Sequence, residues 1–250
     1  MMMDVLSEIA ERFWSCVEEE MLDEGVRVST RALSPEEAIG SPQRRDFPLL
    51  AGREVLMQAE FRGSRGQAFT TAPQPFEGTL ADVKALPLTG CFERAVFIAT
   101  MNAVLRSMGL VRGTVHCKDD GPERCGKLIA TRLNEEMGEG RLGIVGFQPA
   151  IVEHCVACLG CERVMVSDLN PAVVGTLRYG IKVMDGMACV DEMARECDVL
   201  LITGTTLVND TLDEVLEAAS AHGTDVVFYG TTVAGAAHLC GWRRLCPESK

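Results

Sequence analysis

The sequence predicts an α/β fold, with a Rossmann-like parallel sheet in its second half and a smaller α+β unit before it. Three observations carry that expectation. After Gly138 the chain alternates short apolar runs with helical patterns, the rhythm of βαβ units. The runs Leu142 to Val145, Arg163 to Ser167 and Asp198 to Thr203 are apolar without strict alternation, as in strands buried on both faces. The first half instead orders helix, then strands, then helices, which marks an α+β unit. The division expected is 1–112 for the α+β unit, 113–138 for a connecting helical region and 139–250 for the parallel domain.

The elements follow in order. Val5, Ile9, Phe13, Trp14, Val17 and Met21 recur at helical spacing, so Met3 to Leu22 reads as an amphipathic helix closed by Gly25. Strands are expected at Val26 to Leu33, Glu54 to Phe61 and Gln67 to Thr71, the last two joined by the turn Gly63-Ser64-Arg65-Gly66. Pro73 and Pro75 break the third run. Helices are expected at Thr79 to Leu86, at Cys91 to Met108 with one apolar side, and at Lys118 to Asn134. In the second half, helices are expected at Ala150 to Leu159, Met187 to Glu196 and Asp210 to Ala221. A weak strand is expected at Ile181 to Met184 and a last one at Asp225 to Tyr229.

Composition narrows the function classes. The net charge is −12, from 36 acidic and 24 basic residues that are dispersed along the chain, which disfavours nucleic acid as a partner. No apolar run reaches the length of a membrane span, and the acidic start lacks a secretory pattern, so a cytoplasmic protein is expected. A homodimer is the base-rate expectation. The 11 cysteines are expected to be reduced, many of them filling the core, and their abundance hints at an anaerobic cell.

Parallel sheets bind ligands beyond the carboxyl ends of their strands, beside helix N-termini. Four turns hold such positions: Gly146-Phe147-Gln148-Pro149; Asp168-Leu169-Asn170-Pro171, whose Asp stands where nucleotide and S-adenosylmethionine binders hold ribose; Thr203-Gly204-Thr205-Thr206 with Asn209; and Gly230-Thr231-Thr232. The last two put hydroxyls on neighbouring strand tips and are expected to face one crevice. Asn209 also reads as a helix cap. The first turn has one Gly rather than three, and Pro149 removes an N–H, so a cradled pyrophosphate is not expected.

Metal ligands are a separate question. Thiolate and imidazole suit soft metals, and His116, Cys117 and Cys125 lie between the two halves. Cys155, Cys158 and Cys161 have Cys-x-x-Cys-x-x-Cys spacing, the spacing of iron–sulfur ligands. Cys155 and Cys158 also fall on the helix stripe that must face the sheet, and buried there they would be inert. Both readings stay open.

The four turns together, with Arg65 to Thr71 and Thr100-Met101-Asn102-Ala103 in the first half, resemble the putative heavy-metal chelation family of unknown function. The resemblance implies an enolase-N-terminal-like α+β domain joined to a Rossmann-like domain, with a site at the junction that Asn102 would face. It also implies a link to metal-containing cofactor biosynthesis. Where similar chains carry a His-Phe-Pro turn, this one has Phe147-Gln148-Pro149, and Gln is a poor soft-metal ligand.

The leading expectation is therefore a protein that binds a small molecule, a heavy metal or a metal complex in the interdomain cleft. Gly146, Phe147, Gln148, Asp168, Asn170, Thr203, Gly204, Thr205, Thr206, Asn209, Gly230, Thr231 and Asn102 form its ligand set. His116, Cys117 and Cys125, or secondarily Cys155, Cys158 and Cys161, would hold a transition metal. The alternatives are a nucleotide- or S-adenosylmethionine-dependent transferase or lyase, and an iron–sulfur or redox protein. The residues assign no catalytic acid or base, and no cofactor is identified.

Overall fold

A computed structural model of the chain describes residues 4–28, 33–51 and 54–250. Helix α1 (Val5–Cys16) starts at Asp4, whose carboxylate accepts from the Ser7 N–H, and buries Leu6, Ile9 and Phe13. It stops short of the expected Leu22. Glu18, Glu19 and Glu20 follow, and negative charge opposes the dipole at a helix C-terminus.

An antiparallel sheet comes next, built from β1 (Gly25–Val28), β2 (Val55–Phe61), β3 (Ser64–Thr70) and β4 (Phe76–Thr79) in the order β3-β2-β1-β4. Helix α2 (Pro35–Ile39) lies between β1 and β2. Of the strand expected at Val26 to Leu33, residues 29–32 lie outside the described residues. Strand β4 was not expected. The prolines that end the preceding run stand before it, and it occupies an edge, where Pro is tolerated nearby.

Helix α3 (Leu80–Lys84) is capped by Thr79 and Asp82 reciprocally. Helix α4 (Cys91–Ser107) corrects the expectation of a single apolar side, because every residue from Arg94 to Leu105 is buried. It lies against β2 and β3 on one side and against helix α8 (Thr205–Asn209) of the second half on the other. Arg94 is buried with it, donating from Nε to the Val208 carbonyl at 2.7 Å.

Helix α5 (Gly121–Met137) leads into a second sheet. Its members are β5 (Leu142–Val145), β6 (Val164–Asp168), β7 (Leu177–Arg178), β8 (Ile181–Asp185), β9 (Val199–Thr203) and β10 (Asp225–Tyr229), in the order β10-β9-β5-β6-β8-β7. All neighbours are parallel except β7 and β8. Helices α6 (Pro149–Leu159), α7 (Val190–Glu196), α9 (Leu212–His222) and α10 (Ala234–Cys240) complete it. The expected parallel α/β unit is thus present, in a fold that joins it to an antiparallel sheet.

Residues Thr205 to Asn209 form α8 rather than a loop. Asp210 then turns left-handed at φ 62°, and α9 starts after Thr211, so Asn209 ends one helix and does not cap the next.

Two large apolar clusters hold the layers. One runs through both sheets, joining Phe13, Phe97 and Met101 to Leu200, Ile202 and Phe228. The other lies on the opposite face of the parallel sheet, where Ile129 and Leu133 of α5 meet Ile144, Val152, Val166 and Leu201. The connecting region around α5 is therefore packed on the parallel sheet.

Candidate functional site

Strand β5 is the first strand of the parallel sheet, with β6 on one side and β9 on the other. The winding direction reverses between β5 and β9, which opens a crevice beyond their carboxyl ends. A cavity of about 360 Å³ occupies that position. The strand-tip turns line it from the parallel sheet. Phe47, Leu49, Glu54, Phe69 and His116 line it from the first half of the chain.

The turns are held by their own polar atoms. Gly146 has φ +96°, and a Cβ there would come within 2.6 Å of Thr203 Cγ2 and 3.0 Å of the Tyr229 hydroxyl. Only glycine lets the first turn lie that close to β9 and β10. Tyr229 donates its hydroxyl proton to the Gly146 carbonyl at 2.8 Å. Gln148 accepts from the Ile151 N–H at 2.6 Å and so caps α6. Asp168 binds the first turn to the second: Oδ2 accepts from Phe147 N and Oδ1 from Asn170 N, each at 2.6 Å. Thr206 donates to the Thr203 carbonyl at 2.8 Å, while the Thr203 and Thr205 hydroxyls are 3.2 Å apart.

Burial sets the protonation states. It pushes Glu54 up to about 7, with the neighbouring Asp168 charge adding to the shift. Asp168 is raised by burial against the pull of its backbone N–H donors. Burial lowers His116 to about 4, so its imidazole is neutral near pH 7. Burial raises the Tyr229 hydroxyl and takes the Cys117 thiol to about 12. Cys125 and Cys246 share a hydrogen bond. That bond pulls Cys246 below the ordinary thiol range, helped by Arg244, and pushes Cys125 up.

The cavity wall includes Gly146, Phe147, Gln148, Asp168, Asn170, Thr203, Gly204, Thr205, Thr206, Asn209 and Gly230, together with His116, Cys117 and Cys125. Three groups of residues depart from expectation. Asn102 is wholly buried behind the wall: Nδ2 donates to the carbonyls of Gln67, Thr231 and Thr232, and Oδ1 accepts from Gly235 N. All its capacity goes to backbone, so it positions the Gly230 loop and does not line the cavity. Thr231 is also wholly buried, off the wall, with its hydroxyl unpartnered.

Cys155, Cys158 and Cys161 do not converge. Cys155 is buried in the core, with its thiol pushed up to about 12, while Cys158 and Cys161 are exposed. The helix ends at Gly160, so Cys161 leaves its face. Among the described residues, no group of three or more His, Cys, Asp or Glu side chains is arranged to hold a metal ion.

Sequence reasoning missed Glu54, Ser167 and Tyr229 on the same wall and gave Cys246, which also stands there, little weight as a metal ligand. Tyr229 and Ser167 had a signal, since each stands at a carboxyl-terminal strand end. Glu54 and Cys246 reach the cavity only through long-range folding.

Residues 130–240 match the family model DUF364, described as putative heavy-metal chelation. The match covers less than half of the chain. No curated protein matches the chain significantly. Two solved structures of DUF364 proteins of unknown function share the fold. The one from Pyrococcus horikoshii is 15% identical, with a TM-score of 0.53 over 92% of this chain and 80% of its own. The one from Desulfitobacterium hafniense DCB-2 is 15% identical, with a TM-score of 0.55 over 94% of this chain and 83% of its own. At that identity the likeness concerns the fold. No helix among the described residues is long and apolar enough to cross a membrane.

Proposed function

We propose that the protein binds a small molecule or a metal complex in the cleft between its two halves. The observation that carries this reading is the cavity at the switch point of the parallel sheet, walled by both halves of the chain. Its size suits a compact ligand, and its wall combines apolar side chains with a few convergent polar groups.

The nucleotide reading is weaker. Among the described wall residues there is no Lys or Arg to meet a phosphate. A heavy metal bound directly is favoured by one observation: Cys117, Cys125 and Cys246 reach the wall beside His116, and the Cys246 sulfur is acidified by its Cys125 partner. One acidified sulfur beside neutral thiols and an imidazole suits a thiophilic cation better than the iron–sulfur arrangement expected around Cys155.

A thermal-shift panel of metals, tetrapyrroles, S-adenosylmethionine and nucleotides tests these readings. A ligand at 100 times its dissociation constant adds about 2.7 kcal/mol, or roughly 5–10 °C for a chain of this size. The expected hit is a metal complex or a small molecule. A thiophilic metal acting alone should lose its shift in Cys246→Ser. A shift with nucleotides and nothing else would overturn the proposal.

A further inference from the structure

We infer that the cleft takes a small organic cation, its ammonium group seated between Glu54 and Asp168 and its apolar body against the Phe47, Leu49 and Phe69 side of the wall. The inference rests on the cleft being the binding site and adds the charge of the occupant. The wall carries three carboxylates, Glu54, Asp168 and Glu214, with no Lys or Arg among the described residues that line it. His116, the one basic side chain there, is held neutral by burial. Among the described residues the site is therefore a recess of negative charge without an internal counter-ion.

Glu54 is the clearest mark of a missing partner. Among the described residues it has no hydrogen bond and no ion pair, although it is recessed beside another carboxylate. A charged group out of water is costly unless something compensates it. Protonation compensates Glu54 in the empty cleft, and a bound cation would do the same while leaving the carboxylate ionised. Asp168 faces the same space, and each of its oxygens keeps a lone pair beyond the backbone N–H it accepts. Ser167 is a second, independent sign. Its hydroxyl is wholly buried on the same wall and meets only the weak acceptor sulfur of Cys189. It could accept an N–H from a ligand.

An ammonium fits this set better than a bare metal ion. No three ligating side chains converge there, whereas an ammonium needs only two or three acceptors around three N–H bonds. The apolar part of the wall gives the organic body a place to be buried.

The test uses three probes with one indole body: tryptamine, tryptophol and indole-3-acetate. Binding to the full chain is measured by calorimetry at pH 8, where Glu54 is ionised. Tryptamine should bind about tenfold or more tighter than tryptophol, with the anion weakest. Glu54→Gln should remove the preference for tryptamine and leave tryptophol binding in place; Gln keeps the shape, and Glu54 has no partner to lose among the described residues. Equal binding of amine and alcohol, tighter binding of the anion, binding of none of the three, or an unchanged preference in E54Q would each overturn the inference. Thr205→Trp, which fills the cavity, separates this from the cleft reading. If a probe binds T205W as well as it binds the native chain, the cleft itself is not the binding site.

Discussion

Asn102 is the residue through which the two halves hold the cavity in shape, and removing its side chain should cost more than an average core substitution. In the native chain its amide donates to three carbonyls and accepts one backbone N–H, from β3 on one side and the Gly230 loop and α10 on the other. Asn102→Ala deletes two N–H donations, one of them shared between two carbonyls, and one acceptor in a place closed to water. At about 1 kcal/mol each, with an added penalty for the orphaned Gly235 N–H, the loss is roughly 4–6 kcal/mol. That is a large share of the 5–15 kcal/mol typical of a folded domain. Asn102→Asp keeps the acceptor but turns a carboxylate towards three carbonyl oxygens, so it should be at least as damaging at neutral pH despite its near-identical shape. Urea unfolding followed by far-UV circular dichroism reads both changes, compared at equal slope. A loss below about 1 kcal/mol in N102A, with the slope unchanged, would refute the view that these bonds join the halves.

Two further outcomes follow from close contacts and from burial. At Gly66 a Cβ would stand 2.2 Å from Ala103 N and 2.3 Å from Ala99 O, both backbone atoms of α4, so Gly66→Ala must push the helix off β3. The expected loss is about 1–3 kcal/mol or more, seen as a melting temperature lower by several degrees; an unchanged melting temperature would show that the helix yields freely. Glu54 titrates near 7 in the folded chain against an ordinary value of 4.5. A raised carboxyl leaves stability intact below about 4.5 and reduces it as pH climbs through about 7. Relative to the native chain, Glu54→Gln should gain stability between those limits and hold the gain above them. Asp168, Glu214, His116 and Tyr229 share the wall. Asp168 is raised as well and reduces stability in the same direction as pH rises, so the E54Q difference, not the native curve alone, is the measurement.

The parallel sheet was legible because buried strands and strand-to-helix turns are local patterns. Leu142–Val145 occupies the residues that its apolar run marks, and the four turns sit at strand ends because the chain can reverse nowhere else. What failed to show was long-range. Asn102 looks like a polar residue on a helix, and the family resemblance implies that it faces the junction. Its partners lie 35, 129, 130 and 133 residues away, and they make it structural. The cysteine spacing at 155, 158 and 161 suggested a cluster, but the core stripe took Cys155 and the helix end released Cys161.

The hydroxyls and amides that drew attention in the turns have mostly found backbone partners. Gln148 caps, Thr206 closes its own turn and Asp168 ties two turns together. These contacts make the turns a scaffold of fixed shape. Polar capacity left over for a ligand then falls on Glu54 and Ser167, which no local pattern marked as a pair, and on the unused lone pairs of Asp168. A site with that division recognises its occupant by the charge it brings to Glu54, since the turns have little hydrogen-bonding capacity still to offer.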